Sequence, residues 1–169
     1  MIERYIRDVP DFPKPGIVFK DITPLLLSPV GLKLALDGLS SLAAGIEFDL
    51  VAGIESRGFL FGTALARELG KGFVPIRKPG KLPWRTDSET YELEYGTDTL
   101  EIHVDAAEDG ARMLMVDDLL ATGGTMQAAV KLVSKVGGTA VGCLFVIELG
   151  FLPGRERLGD LPVHSLIRY

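Results

Sequence analysis

With 169 residues, 47% of them hydrophobic, the chain is long enough to bury one α/β core and too short for two ordinary domains. Its net charge of −5 excludes the broad basic face of a general nucleic-acid binder, and its single cysteine, Cys143, excludes an intrachain disulfide and fits a reducing compartment, the cytoplasm. The N-terminus mixes Glu3, Arg4, Arg7 and Asp8 without an apolar core, and no apolar run is long enough for a bilayer, so neither a signal peptide nor membrane association is expected.

In chain order, Ile2 to Arg7 reads as a short amphipathic helix, ended by the irregular Pro10, Pro13, Pro15, Gly16 cluster. Ser28-Pro29 reads as a helix start, with Ser at the cap, Pro in the first turn, and Leu32, Leu36 and Leu39 along one face. A core strand is expected at Asp49 to Ala52, then a loop at Glu55 to Arg57, a helix over Phe59 to Leu69 and a strand near Gly72 to Ile76. Arg77 to Thr90 holds two prolines, a glycine and many polar side chains without periodicity, the composition of a long loop and a candidate lid. Glu89 to Tyr95 and Thr99 to Val104 flank Gly96-Thr97-Asp98 as a β-hairpin. After them come a strand at Met113 to Val116, a helix over Met126 to Val136, the apolar strand Val141 to Ile147 and a last strand near His164 to Ile167. His103 and His164 lack metal-ligand spacing and read as strand or surface residues. Strands alternating with helices imply an α/β fold with a mainly parallel sheet flanked by helices.

The segment from Met113 to Thr125 carries the chemistry, because an apolar strand runs into Asp117-Asp118 and then, past Ala121-Thr122, into Gly123-Gly124-Thr125 at the start of a helix. In open α/β sheets the carboxyl ends of strands bind ligands. Two glycines let backbone N–H groups come close to an anion, Thr122 and Thr125 add hydroxyl donors, and the helix adds its positive end. Asp117 and Asp118 repel phosphate but accept from sugar hydroxyls or attract the waters around Mg²⁺. Phosphate on one side and a diol on the other describe a ribose 5-phosphate. The glycines taken alone equally suit an ordinary strand-to-helix turn with Asp as a cap. A Walker A loop is excluded, since no lysine follows the second glycine until Lys131, and so is the dinucleotide fingerprint Gly-x-Gly-x-x-Gly. Basic residues collect at Arg57, Arg77, Lys78, Lys81 and Arg85, so an acidic chain can still hold a positive pocket.

The Met113 to Thr125 segment resembles the phosphoribosyl-diphosphate (PRPP) signature of the type I phosphoribosyltransferases. Four further segments, Phe12 to Ile22, Gly53 to Phe59, Arg77 to Pro83 and Tyr91 to Gly96, are similar to the adenine branch of that family, and the similarity covers nearly the whole chain. The resemblance implies a single phosphoribosyltransferase domain over residues 1–169, with a small N-terminal hood mainly in 1–30 and a lid loop and hairpin at about 77–104. It implies transfer of the phosphoribosyl group of PRPP to adenine, giving AMP and pyrophosphate, with Mg²⁺ held through PRPP and water rather than by protein ligands, and a cytoplasmic homodimer.

Carried over residue by residue, the resemblance assigns phosphate and ribose to Asp117, Asp118, Ala121, Thr122, Gly123, Gly124 and Thr125. Pyrophosphate goes to Glu55, Ser56, Arg57, Arg77 and Lys78, with a non-proline cis peptide at Glu55-Ser56. Adenine goes to Val18, Lys20 and Leu149, the lid to Lys81 and Tyr95, and catalysis to Glu94 and Arg57. For Arg57 the alternative is a surface ion pair with Glu68 or another carboxylate; for Glu94, a solvated strand carboxylate; for Tyr95, hairpin packing. Two rival functions follow from the same fold: transfer to xanthine, guanine or hypoxanthine, and a regulatory PRPP sensor that binds nucleic acid. The Phe12 to Asp21 and Tyr91 to Gly96 segments oppose the first, and the missing basic face opposes the second.

Overall fold

The computed structural model describes residues 1–93 and 96–169. The chain divides into two compact units, Met1–Gly38 and Leu39–Tyr169.

In the first unit the expected N-terminal helix is only a 3-10 turn, Glu3–Tyr5, after which the chain becomes a strand, β1 (Arg7–Pro10). The proline cluster is the turn of a hairpin, for β1 pairs antiparallel with β2 (Val18–Asp21), an element hidden by its short length and by the prolines before it. Cross-strand charges reinforce the pairing, Arg7 with Asp21 at 2.6 Å and Lys20 with Asp8 at 2.7 Å. The turn is held by the Gly16 N–H donating to Asp11 Oδ1 at 2.8 Å and by an edge-on contact of Phe12 with Phe19. A one-turn helix, α1 (Thr23–Leu27), precedes α2 (Pro29–Ala43). As expected, Ser28 caps α2, its Oγ accepting from the Gly31 N–H at 3.0 Å, with Pro29 at the first helical position. The buried stripe of α2 is Gly31, Ala35 and Leu39, and the leucines expected there, Leu32 and Leu36, flank it half-buried.

The second unit is built on a five-stranded parallel sheet in the order β4-β3-β7-β8-β9, from β3 (Leu50–Ile54), β4 (Gly72–Ile76), β7 (Arg112–Leu120), β8 (Thr139–Glu148) and β9 (Val163–Arg168). Two longer helices, α3 (Arg57–Glu68) and α4 (Gly124–Lys135), and the single turn α5 (Gly154–Arg157) accompany it. The strands are apolar on both faces because both are covered; Met113 to Val116 and Cys143 to Ile147 are all buried. From β3 the chain moves outward to β4, and from β7 outward the other way through β8 to β9, so the strand order reverses between β3 and β7. That switch point is where such sheets bind ligands.

The expected hairpin is present as β5 (Thr86–Glu92) and β6 (Thr97–His103), but Thr97 and Asp98, expected in its turn, belong to β6, and β5 takes over the last five residues of what reads as loop in the sequence. Its first residues are polar, so no hydrophobic period marks them. Glu89 ties the hairpin to α4 through Lys131 at 3.3 Å and Lys135 at 2.7 Å, and a bridge between Arg77 and Glu101 ties it to the end of β4. Among the described residues no helix is long and apolar enough to cross a membrane.

Cys143 lies fully buried in the centre of β8, and that burial pushes its thiol up to about 12. A thiol neutral at pH 7 and closed to solvent is a poor nucleophile. The folded chain is therefore expected to resist iodoacetamide and to take up one equivalent in denaturant; mass spectrometry showing alkylation of the native protein would contradict this placement.

Candidate active site

Two loops leave the sheet at its switch point. After β3 the chain makes the Glu55–Ser56 peptide in the cis form, at the position expected from the resemblance, and Ser56-Arg57 begins α3. After β7 it passes through Ala121 and Thr122 to Gly123, which takes a positive φ of 81° that a glycine adopts without strain, and Gly124 opens α4. Asp117 and Asp118 do not follow the strand; they are residues six and seven of β7, and the strand continues to Leu120. Backbone pairing with β8 thus holds both carboxylates on a rigid element.

Between the loops lies a cavity of about 520 Å³, of the size that accepts a nucleotide-like ligand. It brings together Glu55, Ser56, Arg57, Lys78, Asp117, Asp118 and the run Ala121 to Thr125. Segments far apart in sequence therefore converge as expected. Arg77 stands behind this lining, its Nε donating to Glu55 Oε2 at 3.1 Å and its Nη1 to the Lys81 carbonyl at 3.2 Å. Lys81 and Leu149 lie outside the lining, Val18 and Lys20 belong to the first unit, and Glu94 and Tyr95 lie outside the described residues.

The charges in the cavity meet in pairs. Arg57 Nε donates to the buried Asp118 Oδ2 at 2.5 Å, so the alternative of an ion pair is realised with a carboxylate of the site itself. Glu55 Oε2 accepts from Arg77 and from the Lys78 backbone N–H at 2.7 Å. Lys78 Nζ pairs with Asp98. Burial works against the Lys78 ammonium, yet the hydrogen bond it donates to Asp98 and the nearby Tyr91 leave its pKa above the ordinary value. Burial, and then the Asp118 charge, drive Asp117 well above the usual carboxylate range; its Oδ1 accepts from the Asp118 N–H at 2.9 Å.

Two polar lining residues are absent from the expected set, Tyr91 and Asp98. They sit directly opposite each other in the β5–β6 register, and the Tyr91 hydroxyl donates to Asp98 Oδ2 while accepting from Thr125 Oγ1, each at 3.3 Å. A hairpin with Gly96-Thr97-Asp98 as its turn, as the sequence reads, leaves Asp98 out of the strand, so this pairing of two polar residues on one face was hidden there.

Residues 33–157 match the family model described as the phosphoribosyl transferase domain. An adenine phosphoribosyltransferase of Thermobifida fusca is 57% identical over 98% of this chain and 94% of its own length. The chain belongs to the adenine phosphoribosyltransferase family. The crystal structure of the adenine phosphoribosyltransferase from Thermoanaerobacter pseudethanolicus superposes with a TM-score of 0.97 at 54% identity, covering 99% of this chain and 98% of that one. That from Saccharomyces cerevisiae, complexed with an imino-altritol bisphosphate and adenine, gives 0.91 at 41% identity over 98% of this chain and 96% of that one. The rival of a regulatory sensor on the same fold thereby gives way to an enzyme, and the five-stranded parallel sheet described above is the core of an adenine phosphoribosyltransferase.

Proposed function

We propose that the cavity between the Glu55 loop and the Asp117 to Thr125 segment transfers the phosphoribosyl group of PRPP to N9 of adenine, giving AMP and pyrophosphate in purine salvage. The observation that carries this reading is the convergence of Arg57 and Lys78 with Asp117, Asp118 and the Gly123–Thr125 turn in the lining of one cavity. The 5-phosphate is assigned to the Thr122 to Thr125 turn, where backbone N–H groups, two hydroxyls and the start of α4 act together. Asp118 accepts from the ribose hydroxyls, with Asp117 beside it, and pyrophosphate is held by Ser56, Arg57 and Lys78. Glu55, a carboxylate, serves that subsite by fixing the Lys78 backbone and Arg77 rather than by touching phosphate.

In the reaction the C1–O bond of PRPP breaks with its electron pair going to pyrophosphate, and N9 of adenine bonds to C1. Positive charge develops on the ribose ring, as in other glycosyl transfers, where the Asp117–Asp118 pair faces it, and negative charge on the leaving group, where Arg57 and Lys78 meet it. The N9 proton passes to the Glu94 carboxylate. The site suits Mg²⁺ bound through substrate and water, since Asp117 and Asp118 are hard oxygen groups on the cavity wall and Mg²⁺ keeps several of its waters. When bound, Mg²⁺ supplies charge neutralisation to the pyrophosphate oxygens. Base choice is assigned to the backbone around Val18 and Lys20, where a carbonyl accepts from the 6-amino group of adenine and repels a 6-oxo purine. The Arg77–Lys81 loop and Tyr95 are assigned the lid that keeps water from PRPP, and the working form is taken as a cytoplasmic homodimer.

The test is pyrophosphate release from PRPP with Mg²⁺ and each of adenine, guanine, hypoxanthine and xanthine. Release with adenine alone is expected; release with a 6-oxo purine would overturn the base assignment. A second prediction concerns the ribose. Asp118→Ala is expected to weaken AMP binding about tenfold, the order of one hydrogen bond to a charged group, with the fold intact. Isothermal titration with AMP avoids any change at the pyrophosphate subsite, and unchanged AMP affinity in the folded variant would remove Asp118 from ribose binding.

A further inference from the structure

We propose that Asp98 is an exchange partner for Lys78: it occupies the lysine's ammonium in place of pyrophosphate, and ligand and carboxylate compete for that one cation. The inference rests on the assignment of Lys78 to the pyrophosphate subsite. Each of the three cations at the pyrophosphate side is paired with a carboxylate, Arg57 with Asp118, Arg77 with Glu55 and Lys78 with Asp98. A site so neutralised has little net attraction for a polyanion, and filling it requires partners to change. Two of these carboxylates have other duties, Asp118 toward the ribose and Glu55 toward the Lys78 backbone. Asp98 is bonded otherwise to its own hairpin, at Thr99 and Tyr91, and it lines the cavity.

Lys78 is built for such an exchange. Its backbone N–H is pinned to Glu55 Oε2 at 2.7 Å, which fixes the root of the side chain, while the four-carbon stem carries a compact charge that can swing between partners. Asp98 is equally well placed to receive it back. Its Oδ1 accepts from the Thr99 N–H at 2.8 Å and its Oδ2 from Tyr91, whose hydroxyl also meets Thr125 at the start of α4. The carboxylate therefore stays in place, hydrogen-bonded, when the lysine leaves. The pair is partly exposed, the Lys78 side chain at 39% and Asp98 at 29%, so its strength is that of a modest surface ion pair. A weak pair yields to a polyanion, and it still favours departure of the product.

The experiment measures the affinity of the full chain for pyrophosphate with Mg²⁺ by isothermal titration. Asp98→Asn is expected to tighten binding about threefold, the scale of one exposed ion pair. Lys78→Met is expected to weaken it, and in the Lys78→Met background the gain from Asp98→Asn should fall to less than half. Unchanged or weaker binding in Asp98→Asn, with Lys78→Met weakened, overturns the exchange while leaving Lys78 as a ligand. An equal gain with and without the lysine also overturns it, because Asp98 then acts only by repelling the anion. No change in Lys78→Met overturns the assignment of Lys78 to pyrophosphate, and the exchange with it. Thermal melting checks each variant, and Asp98→Ala replaces Asp98→Asn if the latter does not fold.

Discussion

Glu94→Gln is expected to lower turnover by a factor on the order of 10²–10⁴ while leaving PRPP affinity within a few-fold of its original value. Adenine attacks C1 through N9, and a proton must leave that nitrogen as the bond forms. Glutamine keeps the size of the side chain and its capacity to accept a hydrogen bond, but it does not take up the proton at neutral pH. The effect should therefore appear in the chemical step and be absent from binding. Single-turnover rates with saturating adenine separate the two, and near-normal turnover would take Glu94 out of the mechanism. The pH dependence gives a second readout: the rising limb that reports a carboxylate in the wild-type chain should vanish in the variant.

The sheet was legible in the sequence for a simple reason: strands covered on both faces are written as apolar runs, and Met113 to Val116 and Val141 to Ile147 are such runs. The signature turn was legible because Gly123-Gly124 and its threonines combine residue types that each serve anion binding in a different way. What escaped is local structure without an apolar period. β1 and β2 are four residues each and pair through charges across a proline-rich turn; β5 begins with Thr86-Asp87-Ser88; α5 is a single turn. Side-chain partnerships over long sequence separations escaped too. Arg57 meets Asp118 across 61 positions and Lys78 meets Glu55 across 23, and neither periodicity nor spacing encodes them. The resemblance transfers motifs, and several of the residues it carries over line one cavity; it said nothing of Asp98, whose pairing with Lys78 is visible only in the fold.

Gly154→Ala is expected to weaken PRPP and AMP binding by about a hundredfold and to lower Tm by about 5 °C, although residue 154 touches no ligand in the scheme above. The turn α5 is fastened to the sheet by Arg155, which donates Nε and Nη2 to the buried Glu148 at 3.0 and 2.6 Å and Nη1 to the Val163 carbonyl at 2.6 Å. The Arg155 hydrogen bonds hold Glu148 below its usual carboxylate range, and Ser165 adds a further donor at 2.8 Å. So anchored, α5 presents Gly154 to the back of the phosphate-binding turn. A Cβ there would stand 2.3 Å from the Ala121 carbonyl oxygen and 2.9 Å from Leu120 Cγ, while the Gly154 carbonyl lies 2.7 Å from where a Cβ on Gly123 would be. Neither neighbour can yield, since Leu120 is buried at the end of β7 and the Ala121 backbone is the turn itself. The added methyl must move the turn, and a displacement of about 1 Å in a positioning loop is enough for a hundredfold loss. Titration with AMP and a thermal melt check both parts. If AMP affinity were normal in a folded Gly154→Ala chain, the turn would not depend on α5 for its position, and the backbone contact between Gly123 and Gly154 would be packing alone.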